Sequence, residues 1–133
     1  MLLTKECDYG VRIIRALADN EKKTVKVICA LESIPFQYTY KIIKKLEKAG
    51  FVQSYHGPNG GYQLIKPLHT FTLYDVIIAV DEDFFIFECV SKEQICLHNR
   101  QDQPCSVHLE LERIQQLLLK EMQAKSIENI LLP

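Results

Sequence analysis

Apolar positions recur at helical spacing through the first fifty residues, and then the period changes. Cys7, Val11, Ile14 and Ala18 share one face of a helix that Thr4 can cap and that Asp19-Asn20 ends. A second helix is expected from about Thr24, with Val27, Ile28 and Leu31 turned inward. Proline fits the first turn of a helix, so a third should run over 35–48. Its apolar side holds Tyr38 or Thr39, Ile42, Ile43 and Leu46, and Gly50 closes it in the left-handed conformation. Beyond Gly50 two β-rich runs, 51–55 and 62–65, flank a turn made of Gly57, Pro58, Asn59, Gly60 and Gly61, which predicts a hairpin. Thr72 then caps "LYDVIIAVD", with Asp75 as its capping-box partner. Residues 89–105 show no clear period. "SVHLELERIQQLLLKEMQAK" reads as a long helix with an apolar stripe of Val107, Leu111, Ile114, Leu117 or Leu118, and Met122. Ser126 caps a last short helix, "IENILL".

Three short helices followed by a hairpin make the pattern of a winged helix-turn-helix. The expected fold is therefore mostly α with a small β-hairpin. A winged helix-turn-helix unit occupies 1–83, a loop 84–106, and a long dimerisation helix with a C-terminal tail 107–133. The long helix carries more apolar surface than a monomer of this size needs. A second copy packed against Leu111, Ile114, Leu118 and Met122 explains it best.

Charge sharpens this picture. The net charge of −1 conceals 11 Lys and Arg against six Asp and Glu in residues 1–66, and five against 11 in 67–133. The basic half suits a polyanion and the acidic half repels one. On the third helix Gln37, Tyr40, Lys41 and Lys44 lie opposite Ile42 and Leu46, and Tyr38, Thr39 and Lys45 complete the candidate DNA-contacting set. Glutamine can bond an adenine edge, whereas lysines chiefly neutralise phosphates. His56 and Asn59 sit at the hairpin tip, where a wing can enter the minor groove. No paired acid and base or activated nucleophile argues for an enzyme. The rival from another class is a protein-binding module acting on a metabolic enzyme or assembly factor.

Nothing in the sequence is long and apolar enough to span a membrane, and the opening "MLLTKECDYG" lacks a secretory pattern. A cytoplasmic protein with reduced thiols is expected, and the odd count of five cysteines agrees. Cys7 and Cys29 fall on apolar helical faces and read as buried structural thiols. Cys89, Cys96, Cys105 and His108 differ. Their spacing is C-x6-C-x8-C-x2-H, with Lys92 and Arg100 between them to offset thiolate charge. Structural zinc sites usually contain a close C-x2-C pair, and none is present here. Wide spacing suits a larger object such as an iron–sulfur cluster, with histidine able to replace one thiolate. Zinc, or three thiols without a cofactor, are the other readings.

Several stretches resemble the IscR/NsrR/CymR superfamily of bacterial transcription regulators, also called the Rrf-two family, over nearly the whole chain. "LTKECDYGVR" resembles its first helix. "IPFQYTYKIIKKLEKAGFVQSYHGPNGGYQL" resembles its recognition helix and wing, with Gly57, Gly60, Gly61 and Tyr62 in the wing motif, and "FTLYDVIIAVDE" resembles the helix before the cluster loop. The resemblance implies a dimeric winged-helix regulator bound to double-stranded operator DNA, with long C-terminal helices crossing at the dimer interface. It also implies that Cys89, Cys96 and Cys105 hold an iron–sulfur cluster in the loop 84–106, although the gap between the last two exceeds the family's usual one. In IscR-like members the fourth ligand is a histidine at the place of His108, which favours [2Fe-2S]. In an NsrR-like member it is an aspartate of the partner's first helix, at the place of Asp8, closing a [4Fe-4S] cluster. Cluster-free relatives such as CymR lack the cysteine trio. The expected signal is nitric oxide, redox state, oxygen or iron supply.

Overall fold

The structure is a computed structural model that describes residues 3–91 and 96–132. Helix α1 (Lys5–Ala16) begins where the Thr4 hydroxyl accepts the Cys7 N–H. Helix α2 (Val25–Glu32) begins in the same way, with the Thr24 hydroxyl accepting the Val27 N–H, and ends at Ser33, whose φ of 56° lies in the left-handed region. Ile34 is buried in the turn that follows, and Pro35 then leads into α3 (Phe36–Lys48). This short, tightly closed connection between α2 and α3 is the helix-turn-helix.

Burial on α2 departs from expectation. Val25 and Ile28 point into the core, while Val27 and Leu31 are exposed. The helix has only eight residues and is apolar around most of its circumference, so periodicity alone does not single out its buried face. On α3 the alternative of Tyr38 or Thr39 resolves to Thr39, which is fully buried.

Strands β1 (Val52–Tyr55) and β2 (Gly61–Leu64) pair antiparallel, with Val52 opposite Leu64 and Tyr55 opposite Gly61. Two backbone hydrogen bonds between Lys23 and Tyr62, of 2.9 and 2.8 Å, tie the outer edge of the wing to the connection before α2. Gly61 stands at that contact with φ +140°, and a Cβ there would come within 2.7 Å of the Lys23 carbonyl oxygen. Only glycine fits both the angle and the approach.

Helix α4 (Leu73–Val80) starts with the complete Thr72–Asp75 capping box. It packs on α1 so closely that a Cβ on Gly10 would lie 2.8 Å from Val80 Cγ2. The long helix α5 (Ser106–Met122) buries only Gln115, whose Oε1 accepts the Ile86 N–H at 2.9 Å. Val107, Leu109, Ile114 and Leu117 stay exposed, and Leu111, Leu118 and Met122 are half-buried. Helix α6 (Ile127–Leu131) returns to the first unit: the Ile127 N–H donates to the Phe71 carbonyl at 2.9 Å, and Ile127 joins the core formed by Ile13, Ile28, Ile42, Leu46 and Phe71. None of the described helices is long and apolar enough to cross a membrane.

Candidate DNA-reading face and cysteine site

The apolar side of α3 fixes where its polar residues go. With Thr39, Ile42, Ile43 and Leu46 buried, the remaining side chains divide between two flanks. The flank facing α1 holds Tyr38, Lys41 and Lys45. Tyr38 packs against Tyr9, with ring centroids 6.2 Å apart. Lys41 Nζ reaches Glu6 Oε1 at 3.2 Å, and Lys45 Nζ reaches Glu6 Oε2 at 3.1 Å and the Val80 carbonyl at 3.0 Å. The hydrogen bond from Lys45, and then Lys41, holds the Glu6 carboxyl below its ordinary value of 4.5 against the opposing effect of burial.

The flank facing the wing holds Gln37, Tyr40 and Lys44, all exposed. Lys44 Nζ lies 5.4 Å from the centre of the Tyr40 ring and 5.8 Å from that of Tyr62 on β2. Glu47 joins helix to wing by accepting the Ser54 N–H at 3.0 Å, and the Ser54 side chain first, then this N–H, lower its pKa from the ordinary 4.5 against the opposing effect of burial. Lys22 lies 4.5 Å over the Tyr55 ring, so a further cation borders the wing. His56 and Asn59 are exposed at the wing tip. Thr39 leaves the set: its hydroxyl donates to the Pro35 carbonyl at 2.9 Å and it has no exposed surface for DNA. Its role is to close the first turn of α3.

Two contacts escaped the sequence reading. Glu32 is buried on α2 and accepts from Arg15 at 2.5–3.2 Å, while Arg12 donates to the Glu32 carbonyl at 3.0 Å. Glu6 with Lys41 and Lys45 is the other. Both join residues far apart in the chain. The only local hint was a carboxylate on the first helix next to a lysine-rich one.

The cysteines occupy a different region. Cys89 lies in a single 3-10 turn, Glu88–Val90, that follows α4, and Cys105 is the N-cap of α5. Asn99 ties the other two together: its N–H donates to the Cys96 carbonyl at 3.1 Å, and its Oδ1 accepts the Cys105 N–H at 3.0 Å. All five cysteines are free thiols. Cys89, Cys96 and Cys105 are half-buried; so is Cys29, which packs against the core, and Cys7 is fully buried. His108 lies one turn into α5, with 18% of its side chain exposed. Its Nε2 is 3.7 Å from Glu112 Oε2, and its Nδ1 is the one buried side-chain nitrogen or oxygen among the described residues without a hydrogen-bond partner. Asp8 is exposed on α1 and paired with Arg12 at 2.9 Å. Among the described residues no three His, Cys, Asp or Glu side chains converge on a metal position. Arg100 faces Asp102 at 3.4 Å, and Lys92 lies outside the described residues.

Beside this region a cavity of about 760 Å³ opens between α4 and α5. Tyr74, Phe84 and Phe85 give it aromatic walls, and Glu82, Glu88 and Glu112 make it acidic. Glu112, which approaches His108, and Glu88, next to Cys89, place the cavity against the cysteine segment.

Comparison with known proteins agrees with this architecture. Residues 3–132 match the Rrf2 family model, described as iron-dependent transcriptional regulator. The HTH-type transcriptional regulator NsrR of Bacillus licheniformis is 34% identical over 97 residues, covering 71% of this chain and 68% of that protein. Protein aau3 of Rhizobium meliloti is 32% identical over 97 residues, covering 71% of this chain and 63% of that protein, so the match leaves more than a third of aau3 unspanned. In three dimensions CymR, the global cysteine regulator of B. subtilis, superposes with a TM-score of 0.78 at 19% identity, covering 98% of this chain and 96% of that one. T. potens IscR gives 0.75 at 19% identity, covering 98% and 86%. The match over nearly all of the chain, on a winged helix with a lysine-bearing third helix, places this protein in the Rrf2 family of DNA-binding transcription regulators, which are not enzymes.

Proposed function

We propose that the protein acts as a homodimer whose operator affinity is set by an iron–sulfur cluster held by Cys89, Cys96, Cys105 and His108, with [2Fe-2S] the favoured type. The observation that carries this reading is the buried Nδ1 of His108, one turn beyond Cys105, which has no hydrogen-bond partner among the described residues. A buried ring nitrogen without a partner is costly unless something coordinates or bonds it. Three half-buried thiols in the same segment supply the soft donors that iron–sulfur clusters require. The donor chemistry fits, and ligation would have to draw the cysteines together. A bound cluster contributes an iron centre that responds to electrons and to small ligands.

The chain's own residues give that response a route to DNA. Cys89 follows α4 by a short segment, and the last carbonyl of α4, that of Val80, is bonded to Lys45 of α3. A shift of the cysteine segment would act on the end of α4 and through it on the recognition helix. Lys41 and Lys44 would neutralise phosphates, Gln37 would meet a base edge, and His56 and Asn59 would enter the adjacent groove. The exposed face of Val107, Ile114 and Leu117, with Leu111, Leu118 and Met122 beside it, would bury against a second copy. The palindromic site that such a dimer implies follows from two-fold symmetry.

Asp8 supports a second reading. With 53% of its side chain exposed, it points away from its own core and is free to reach a partner subunit, once it leaves Arg12. Such a ligand suits a [4Fe-4S] cluster. Anaerobic purification followed by an absorption spectrum and iron and sulfide analysis tests the whole proposal. A brown protein with matching iron and sulfide is expected. A colourless protein containing zinc, or no metal, would replace the cluster with a zinc or thiol switch.

A further inference from the structure

The recognition helix carries lysines at 41, 44, 45 and 48, and two of them share a single carboxylate. Glu6 places one oxygen 3.2 Å from Lys41 Nζ and the other 3.1 Å from Lys45 Nζ. Glu6 lies in the first turn of α1, where a carboxylate also interacts favourably with the helix dipole, and is half-buried, with its pair to Lys41 at the surface. Lys45 is held from a second side by the Val80 carbonyl. Lys41 has no such second tie and remains 63% exposed. The carboxylate therefore occupies the α1 flank of the helix much as a phosphate oxygen would. It leaves Lys44, on the wing flank, untouched.

We propose that Glu6 is a built-in anionic competitor, which holds the phosphate-binding ammonium groups of Lys41 and Lys45 and must give up Lys41 when duplex DNA docks. The proposal rests on the reading of α3 as the recognition helix. An exposed ion pair is individually weak, so it yields to a phosphate that several other contacts hold in place. It resists a duplex that engages the helix only by charge. Glu6 thereby lowers affinity for arbitrary DNA more than for an operator that also satisfies Gln37 and the wing. Because sequence-independent binding comes from phosphate neutralisation, masking even one lysine has a measurable effect on it.

The test is binding of the intact protein to a random-sequence duplex over a range of salt, with wild type, Glu6→Gln, Lys41→Gln and the double variant. Glu6→Gln should bind more tightly at low salt and steepen the log–log salt dependence by about one for the lysine released. In the Lys41→Gln background the same change should lose most of its effect. Melting temperatures establish that each variant is folded. Glu6→Asp, which keeps the charge but shortens its reach, provides a second release of Lys41 and should also tighten binding. Unchanged or weaker binding by folded Glu6→Gln and Glu6→Asp would overturn the proposal. So would an equal gain with and without Lys41, since that would be a long-range charge effect. If Lys44→Gln, which removes the α3 lysine that Glu6 does not hold, leaves affinity and salt slope as in wild type, α3 is not the reading head, and both the proposal and the reading beneath it fail.

Discussion

At the residue scale, His108 and the three loop cysteines carry the sharpest expectations. Thiolate is the form that binds iron, and a serine hydroxyl is a poor replacement. Cys96→Ser should lose most iron and sulfide, whereas Cys7→Ser should keep both and lose only packing stability. Full iron and sulfide in Cys96→Ser, measured after anaerobic purification, would remove Cys96 from the site. His108→Ala and Asp8→Ala separate the two candidate fourth ligands. If the histidine is bound, its variant changes the Mössbauer or resonance Raman spectrum and Asp8→Ala leaves it unchanged. The opposite pattern would assign the ligand to α1 of the partner.

At the scale of elements, α1 and α3 are joined by a carboxylate whose titration is readable. Lys45, with Lys41, lowers the Glu6 pKa below 4.5 in the folded protein. The unfolded chain then binds the proton more readily, so stability rises with pH in that range. The contribution is fully present above about pH 4.5 and is lost as pH falls through the lower folded value. Asp19, held by Lys23, and Glu47, held by Ser54, act in the same direction. Denaturant titrations at pH 6 and below pH 4.5 should show Glu6→Gln losing less stability between the two than wild type. An equal loss would mean that the contact does not persist in solution. On the other flank, charge reversal of Lys44 should weaken DNA binding broadly and flatten the salt slope by about one; an unchanged slope would take Lys44 out of phosphate contact.

The same elements show what the sequence could reveal. The caps at Thr4, Thr72 and Ser126, the wing glycines and the buried stripe of α3 are local patterns, written within a few residues. The outward turn of Val27 and Leu31 was not legible, because a short apolar helix has no clear polar face until its neighbours are placed. The pairs Glu6–Lys45 and Arg15–Glu32 span 39 and 17 residues, so they exist only once the helices have docked. The cysteine site was legible as a donor set, from its residue types and spacing. Its ordering by Asn99 and the orphaned His108 nitrogen emerged only from the fold.

For the whole molecule, the exposed apolar face of α5 and the separation of cysteine segment from reading head both bear on how a signal could cross the protein. Ile114, 39% exposed, and half-buried Leu118 flank that face. Glutamates at both positions should produce monomers or insoluble protein, because a buried unpaired charge is costly. A folded, dimeric double variant in sedimentation velocity would place the interface elsewhere. In a dimer, each cysteine segment would act on its own reading head through α4, and both heads would have to fit the DNA together. The decisive test is anaerobic titration of one duplex carrying a palindrome that the protein itself selects from a random-sequence pool. Affinity is measured on a single preparation before and after its iron is removed by a chelator. Brown protein is expected, with an affinity for the palindrome that changes about tenfold or more on iron loss, while random duplex responds much less. Equal palindrome affinity in the iron-loaded and stripped protein would contradict this.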